Sequence, residues 1–438
     1  MPKHAVVIGG GIAGLAAAAT LADQNIQVTL LDAGSQFGGR ARSVAIEANS
    51  QVHQLDNGQH ILLGAYRETL KLLAKVGVQE QDMLMRVPLT LDIRAGNKPV
   101  FKYAAPAYFP APLNQLIGFW FCQGLQINER LAVIKFMLRL KKTNYQLPTD
   151  EPLADFLQKN QQSSKVITLL WEPLCLAALN TPINLASSKI FLNVLRDTFQ
   201  TKHSTDFLLP KQDLSRLFSQ PITRYLKAHQ VRVLHNKRVK SISPNPDGYT
   251  VSTKEETFDA SQVIVAISPV RLHNVITDLP KLNFVAEQID SYEYQPIYTI
   301  YLQYSSSATL SAPMVGLTGA LSQWVFDRGI LCNQNGLMAV IISAEGKHQS
   351  LTHDALALKV AQELQAAFPQ LIKPLWHKVI AEKRATFSCH VNLPRPAHLT
   401  PYPGLYLAGD YTFADYPATI EGAVRSGVAC ADLICGLH

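Results

Sequence analysis

Gly9, Gly11 and Gly14 stand at the spacing Gly-x-Gly-x-x-Gly, directly after the apolar run Ala5–Ile8 and at the start of the alanine-rich stretch Ile12–Ala22. In a strand–turn–helix, each glycine of this pattern answers its own steric demand: a tight turn, close approach of backbone to a pyrophosphate, and close packing of helix on strand. A helix beginning near Ile12 then presents free amides to phosphate oxygens. Asp32, at the end of the alternating run Gln27–Leu31, adds a carboxylate suited to ribose hydroxyls and completes a βαβ unit. Dinucleotide binding is the chemistry these residues point to.

Gly38-Gly39-Arg40-x-Arg42 extends that site, because paired glycines let the backbone pass a cofactor while a guanidinium faces a phosphate or a carboxylate. Proteins that bind only nicotinamide dinucleotides have no need of it. Near the other end, Gly409-Asp410 follows the apolar run Leu405–Ala408, and Thr419-Ile420-Glu421-Gly422-Ala423 opens a small-residue helix to Cys435. The amides at Thr419 and Ile420 are suited to the electron-rich edge of a flavin ring, where they stabilise the charge of its reduced form.

The elements that must position these residues follow from periodicity. Ser43–Ala45 and Gln51–Leu55 read as a hairpin leading into the turn Asp56-Asn57-Gly58, and Leu70–Val76 as a helix. From Gln79 to Pro210 the strand–turn–helix rhythm gives way to a helix-rich stretch with an aromatic, proline-containing run, Tyr103–Phe121. Asp213 is placed to cap a helix using Leu214, Leu217 and Phe218. Short strands return at Val231–Leu234, Val239–Ile242, Tyr249–Ser252 and Val263–Ile267, then at Tyr298–Tyr304, with a helix from Leu356 to Phe368. The organisation expected is an α/β fold, a Rossmann-type cofactor lobe of the glutathione-reductase kind with a discontinuous α+β substrate lobe. The cofactor lobe takes residues 1–78, 211–280 and 389–438, and the substrate lobe takes 79–210 and 281–388.

Composition narrows the class. With 47% of its 438 residues apolar and 17% charged, the chain is globular rather than disordered and long enough for two lobes. The net charge of +7 favours an anionic partner such as a phospholipid surface or a pyrophosphate, but the basic residues are scattered, which argues against nucleic acid. The one local cluster, Lys237, Arg238 and Lys240, reads as a solvated strand edge. Six dispersed cysteines without a Cys-x-x-Cys pair fit a reducing cytoplasm. The apolar N-terminus superficially resembles a secretory signal, yet a signal does not require three glycines in register behind a β-branched strand. No apolar stretch is long enough to span a bilayer, and no metal site is expected.

Taken together, these passages are similar to those of the flavin-containing amine oxidase and phytoene desaturase superfamily, over nearly the whole chain. Four passages resemble one branch, the hydroxysqualene dehydroxylases of bacterial squalene and hopanoid synthesis. They are Asp56-Asn57-Gly58-Gln59-His60 through Gly64-Ala65-Tyr66, Trp171-Glu172-Pro173-Leu174, Glu382-Lys383-Arg384-Ala385-Thr386-Phe387, and Leu407-Ala408-Gly409-Asp410-Tyr411. The resemblance implies FAD as cofactor, contacted by Gly9, Gly11, Gly14, Asp32, Gly39, Arg40, Val239 and Asp410, with Gly58 and Gln59 beside the flavin. Many relatives carry Glu where this chain has Asp32, so the ribose contact is made by a shorter arm.

The resemblance further implies reductive removal of the hydroxyl of hydroxysqualene, a long allylic alcohol, to give squalene. Such chemistry needs an acid to help the hydroxyl leave and a reduced flavin to deliver hydride in a dry apolar pocket. His60, Asp56 and Glu172 are the candidate proton donors, and the sequence does not rank them. The alternatives at these positions are a structural hydrogen bond for His60, an arginine pair for Glu172 and a local cap or ion pair for Asp56. Phe109, Trp120 and Phe121 of the aromatic run suggest either a lip dipping into the membrane surface or a buried core helix. Three rivals remain. A carotenoid-type desaturase has the same fold, a flavin amine oxidase usually carries a lysine where Tyr294–Tyr304 has none, and a non-catalytic binding protein would retain flavin without turnover. The sequence does not name the electron donor or the oligomeric state.

Overall fold

A computed structural model of the chain describes residues 4–106 and 108–437. Its first layer is a sheet of parallel strands in the order Arg232–Leu234, Gln27–Leu31, His4–Ile8, Gln262–Val265, Leu405–Leu407. These strands come from widely separated parts of the chain. Apart from the edge strand Arg232–Leu234 they are buried on both faces and read as near-continuous apolar runs rather than as alternating ones.

Helix Ile12–Asp23 is buried from Ile12 to Ala22, with no polar face. Its alanines permit this, since a small side chain lets neighbouring backbones close in. The last helix, Ile420–Cys435, packs against it so tightly that a methyl added at Gly427 would lie 2.1 Å from the Ala13 carbonyl oxygen. Neighbours of His4–Ile8 on its two sides are reached in opposite directions, which makes the carboxyl end of this strand the switch point where open α/β sheets bind ligands.

The second layer is a seven-stranded sheet in the order Trp376–Phe387, Tyr294–Gln303, Leu337–Ser343, Trp324–Asp327, Met314–Leu317, Thr90–Ala95, Lys98–Ala104. Period-two alternation divides its faces. Tyr298, Ile300 and Leu302 pack with Leu356, Val360 and Leu364 of helix His353–Ala367. Ile297, Tyr301 and Ile341 instead join the core shared with the cofactor lobe. A small sheet of Leu62–Leu63, Phe207–Pro210 and Leu84–Val87 also links distant segments.

Differences from the expectation are local. The stretch 79–210 holds helices such as Leu113–Phe121, Ile127–Lys142 and Ser188–Thr198, but also the strands Leu84–Val87, Thr90–Ala95 and Lys98–Ala104. In Thr90–Ala95 only Leu91 and Ile93 are buried, and the intervening polar residues hide so short a period-two signal. The aromatic run is part strand at Tyr103 and part helix from Leu113, while Ala107 within it lies outside the described residues. Pairing expected at Val239–Ile242 begins at Ser241, leaving Val239 in the connection before it. Lys237 sits in that same connection and is paired with Glu255 and Glu256. Among the described residues no helix is long and apolar enough to cross a membrane.

Candidate active site

The glycine turn is shaped by contacts that no side chain could share. Gly9 has φ +107°, and a methyl there would meet the Ala266 carbonyl oxygen at 2.4 Å; at Gly14 it would meet the Gly9 carbonyl oxygen at 1.9 Å. Gly11 differs, because nothing lies within 4 Å of its added methyl, so the approach to its backbone is open. Gly38 N donates to Gly10 O at 2.8 Å, which lays Gly39 against Gly11. Asp32 accepts from the amides of Gly10 and Gly34, each at 2.6 Å, and its carboxylate retains lone pairs for further donors. Lys237 N donates to Asp32 O at 2.7 Å, bringing the Val239 segment to the same end of the cradle.

Arg40 faces a carboxylate, donating to Asp410 Oδ2 at 2.7 Å and to Ala385 O at 2.6 Å. Gly409 has φ +154° and donates its amide to Ser426 Oγ at 2.8 Å. Thr419 caps the last helix by accepting from Gly422 N at 3.1 Å. The first and last helices each follow a strand of one parallel sheet, so both N-termini, at Ile12 and Ile420, point to its carboxyl edge. An open backbone at Gly11, a ribose-type carboxylate at Asp32 and these helix starts fit a dinucleotide carrying a flavin.

The turn after the hairpin is fixed from below. Asp56, 1% exposed, places Oδ2 at 2.9 Å from Arg328 Nη1, accepts from Leu214 N at Oδ1 (2.8 Å), and takes the Tyr301 hydroxyl on its carbonyl oxygen at 2.9 Å. Arg328 Nη1 also donates to Gln59 Oε1 at 2.7 Å. This is the geometry of an anchoring ion pair, not of a proton donor, because both carboxylate oxygens are already acceptors. Sequence reasoning missed Arg328 and Tyr301; the only trace of the former is a charged residue closing the buried strand Trp324–Asp327.

His60 places Nδ1 at 2.7 Å from Gly58 O, so Nδ1 carries the hydrogen. Burial lowers its pKa and the nearby Arg40 lowers it further, against opposing effects of the Gly58 carbonyl and Asp56. The ring is therefore neutral near pH 7, with Nε2 as acceptor. Glu172 begins the helix Glu172–Leu179 and is half-buried; burial raises its pKa. Among the described residues its side chain makes no hydrogen bond or ion pair, so the arginine partner considered above does not exist here. Trp171 before it is core, its Nε1 donating to Gln162 Oε1 at 2.9 Å.

The strand Trp376–Phe387, which carries one of the four passages, is reached directly by another, at Asn57, and by a third through Arg40. Asn57 Nδ2 reaches Glu382 Oε2 at 3.4 Å, Arg40 reaches Ala385 O, and Asn180 Nδ2, at the end of the Glu172 helix, donates to Thr386 Oγ1 at 3.0 Å. Asp410 joins through Arg40. No hydrogen bond or ion pair links Glu172 directly to His60 among the described residues. A further residue is Glu421, wholly buried, which accepts from Thr69 N (2.9 Å), Thr69 Oγ1 (2.7 Å), Glu68 N (3.1 Å) and Arg425 Nε (2.8 Å). It pins the start of helix Arg67–Lys75 to the start of the last helix. Its place in the Thr419–Ala423 motif was visible, but its partners were not.

A model described as flavin containing amine oxidoreductase matches residues 12–435. The chain belongs to that family. As a flavin-containing amine oxidoreductase it is an FAD-dependent oxidoreductase. This member of the family is 26% identical to hydroxysqualene dehydroxylase of Zymomonas mobilis over 98% of both chains. It is 24% identical to the chloroplastic/chromoplastic 15-cis-phytoene desaturase of Arabidopsis thaliana, over 99% of this chain and 80% of that one. Among solved structures, cyclohexylamine oxidase from Brevibacterium oxydans shares the fold, with TM-score 0.72 and 16% identity over 100% of this chain and 99% of the other.

Proposed function

We propose that this enzyme removes the hydroxyl of hydroxysqualene reductively to give squalene, within bacterial squalene and hopanoid synthesis. The observation that carries the reading is the convergence of the Asp56–His60 turn, Arg40 and Asp410 on the Glu382–Thr386 strand, in a chain alike over its full length to hydroxysqualene dehydroxylases. FAD would be held by Gly9, Gly11, Gly14, Asp32, Gly39, Arg40, Val239, Gly409, Asp410, Thr419 and Ile420, with Gly58 and Gln59 beside its ring. Reduced flavin, when bound, supplies the hydride that replaces the hydroxyl, which leaves as water.

The protein's own residues supply the rest. Glu172, whose burial favours its neutral acid, is the proton donor. Asp56 and Arg328 hold the turn rigid, and the apolar residues around it exclude water. The long isoprenoid arrives from a membrane. Tyr108, Phe109, Leu113, Trp120 and Phe121 are exposed, and the run continues onto the next helix as Ile127, Leu131 and Leu138 beside the exposed Lys135, Arg139 and Lys142. Such an apolar face with a basic flank suits an anionic bilayer surface, and it supports the reading of a cytoplasmic enzyme peripheral to the inner face of the plasma membrane.

A second reading, desaturation of a phytoene-like polyene, is favoured by the likeness to phytoene desaturase. Products separate the two. Purified enzyme with FAD, a chemical reductant and hydroxysqualene should yield squalene in the lipid extract. Unchanged hydroxysqualene, with a polyene that gains double bonds under oxidising conditions, would overturn the first reading in favour of the second.

A further inference from the structure

Along the strand Tyr294–Gln303, Ile297, Thr299 and Tyr301 alternate with Tyr298, Ile300 and Leu302, and the two sets join different cores. The Tyr301 hydroxyl bonds to Asp56 O, so the face that carries Thr299 is the one turned to the Asp56–His60 turn. Thr299 is fully buried, and its hydroxyl has no hydrogen-bond partner. Its register neighbours, Ile341 and Ile380, are apolar and cannot provide one. A buried hydroxyl left unpaired loses its hydrogen bonds to water without replacement, so such a group in a dry site calls for a ligand atom.

The opposite wall shows where that atom would sit. A methyl built on Gly58 would lie 3.6 Å from Thr299 Oγ1 and 3.9 Å from His60 Cε1. Both are ordinary van der Waals separations, so the hydroxyl and the imidazole edge face one point in front of the Gly58 backbone. His60 Nδ1 is committed to Gly58 O, while Nε2 has no partner among the described residues. One side of this point therefore offers an O–H donor, and the other the Cε1 edge of the ring, with the unpaired Nε2 next to it and more than 4 Å from the methyl position. An alcohol matches both, because its oxygen accepts from Thr299 while its hydrogen is donated to His60 Nε2.

We propose that Thr299 and His60 hold the hydroxyl of the substrate over the Gly58 turn, and that Thr299 selects an isoprenoid alcohol over the corresponding hydrocarbon. This rests on the dehydroxylase reading for the substrate class, and it gives that reading a discriminating residue. A purely hydrocarbon substrate leaves both polar groups unpaired, the circumstance under which sites built to hydrogen-bond a hydroxyl reject analogues that lack it.

The test uses the oxidised, FAD-loaded enzyme, in which binding proceeds without reduction, and follows flavin absorbance during titration with hydroxysqualene or with squalene. The wild type should bind the alcohol more tightly, and Thr299→Val should lose that preference by about tenfold or more, while its binding of squalene is kept or improved. Thr299→Ser should keep the preference, which separates loss of a hydroxyl from loss of packing, and Thr299→Ala should lose it where the valine variant does not fold. An alcohol preference unchanged in Thr299→Val, or absent from the wild type, overturns the proposal. So does a changed flavin spectrum in ligand-free Thr299→Val, because the hydroxyl would then belong to the cofactor. If the preference holds but reduced wild-type enzyme leaves bound hydroxysqualene intact, the dehydroxylase reading fails and the alcohol site stands.

Discussion

At Gly14 an added methyl would land 1.9 Å from a backbone oxygen, whereas at Gly58 the nearest atom would be 3.6 Å away and would belong to a side chain. Both glycines adjoin the expected cofactor site, Gly14 in the first turn of the helix Ile12–Asp23 and Gly58 in the turn after the hairpin. The first is a glycine because backbone packs on backbone, between the helix Ile12–Asp23 and the strand it follows. The second is met only at ordinary van der Waals separation, by side chains brought from the strand Tyr294–Gln303 and from the segment that follows Gln51–Asp56. The contrast separates a cradle defined by steric exclusion from a reaction space defined by what distant segments place around it.

The sharpest test of this contrast is Gly14→Ala. Neither partner in that contact can move without disturbing the parallel sheet, so we expect a loss of about 4 kcal/mol or more, seen as failure to fold or as colourless protein in flavin-content and thermal-melt measurements. A stable yellow variant would show that the helix can slide. Next comes Arg328→Met, which leaves Asp56 buried without its cation; urea denaturation should report a loss of about 3–5 kcal/mol. A smaller loss would mean that the turn is held by its backbone and by Tyr301 instead.

Glu172 sharpens the comparison from the reactive side. Its folded pKa is raised by burial, so the protonated acid persists above the ordinary glutamate range, and turnover should fall as pH rises through the raised value. Stability follows the same sign: it is full below the unfolded pKa and declines as pH rises toward the folded one. Glu172→Gln should slow turnover by about 10²–10⁴-fold and flatten that limb of the pH–rate profile, with flavin content unchanged. A variant with the wild-type profile would remove Glu172 as the acid. His60→Ala should slow product formation more modestly while retaining FAD, and unchanged turnover would remove His60 from the site. Gly58→Ala should have the smallest effect on folding, under about 1 kcal/mol, because its methyl meets no clash; it should instead raise KM by occupying the reaction space.

The cradle was legible because its demands are local. Gly9, Gly11, Gly14 and Asp32 lie within one βαβ unit, where spacing along the chain is nearly spacing in space. Arg40 was legible as a group that would face an anion, although not that its anion would be Asp410, 370 positions away. Arg328 was invisible, since no period or motif marks a lone arginine whose partners are Asp56 and Gln59. The strand Thr90–Ala95 was missed for a related reason: only two of its residues are buried, and its pairing with Lys98–Ala104 and Met314–Leu317 is a tertiary fact.

By itself the sequence determined a glycine-rich strand–turn–helix and a parallel α/β lobe, because steric rules for glycine and the periods of strand and helix act between near neighbours. Only the tertiary structure decided that Asp56 is an anchor, that Glu172 stands without a partner and that Thr299 shares a point in space with His60. Charge pairing, burial and hydrogen-bond satisfaction depend on which distant residues arrive at a site, and that is set by the packing of whole sheets against each other rather than by any interval along the chain.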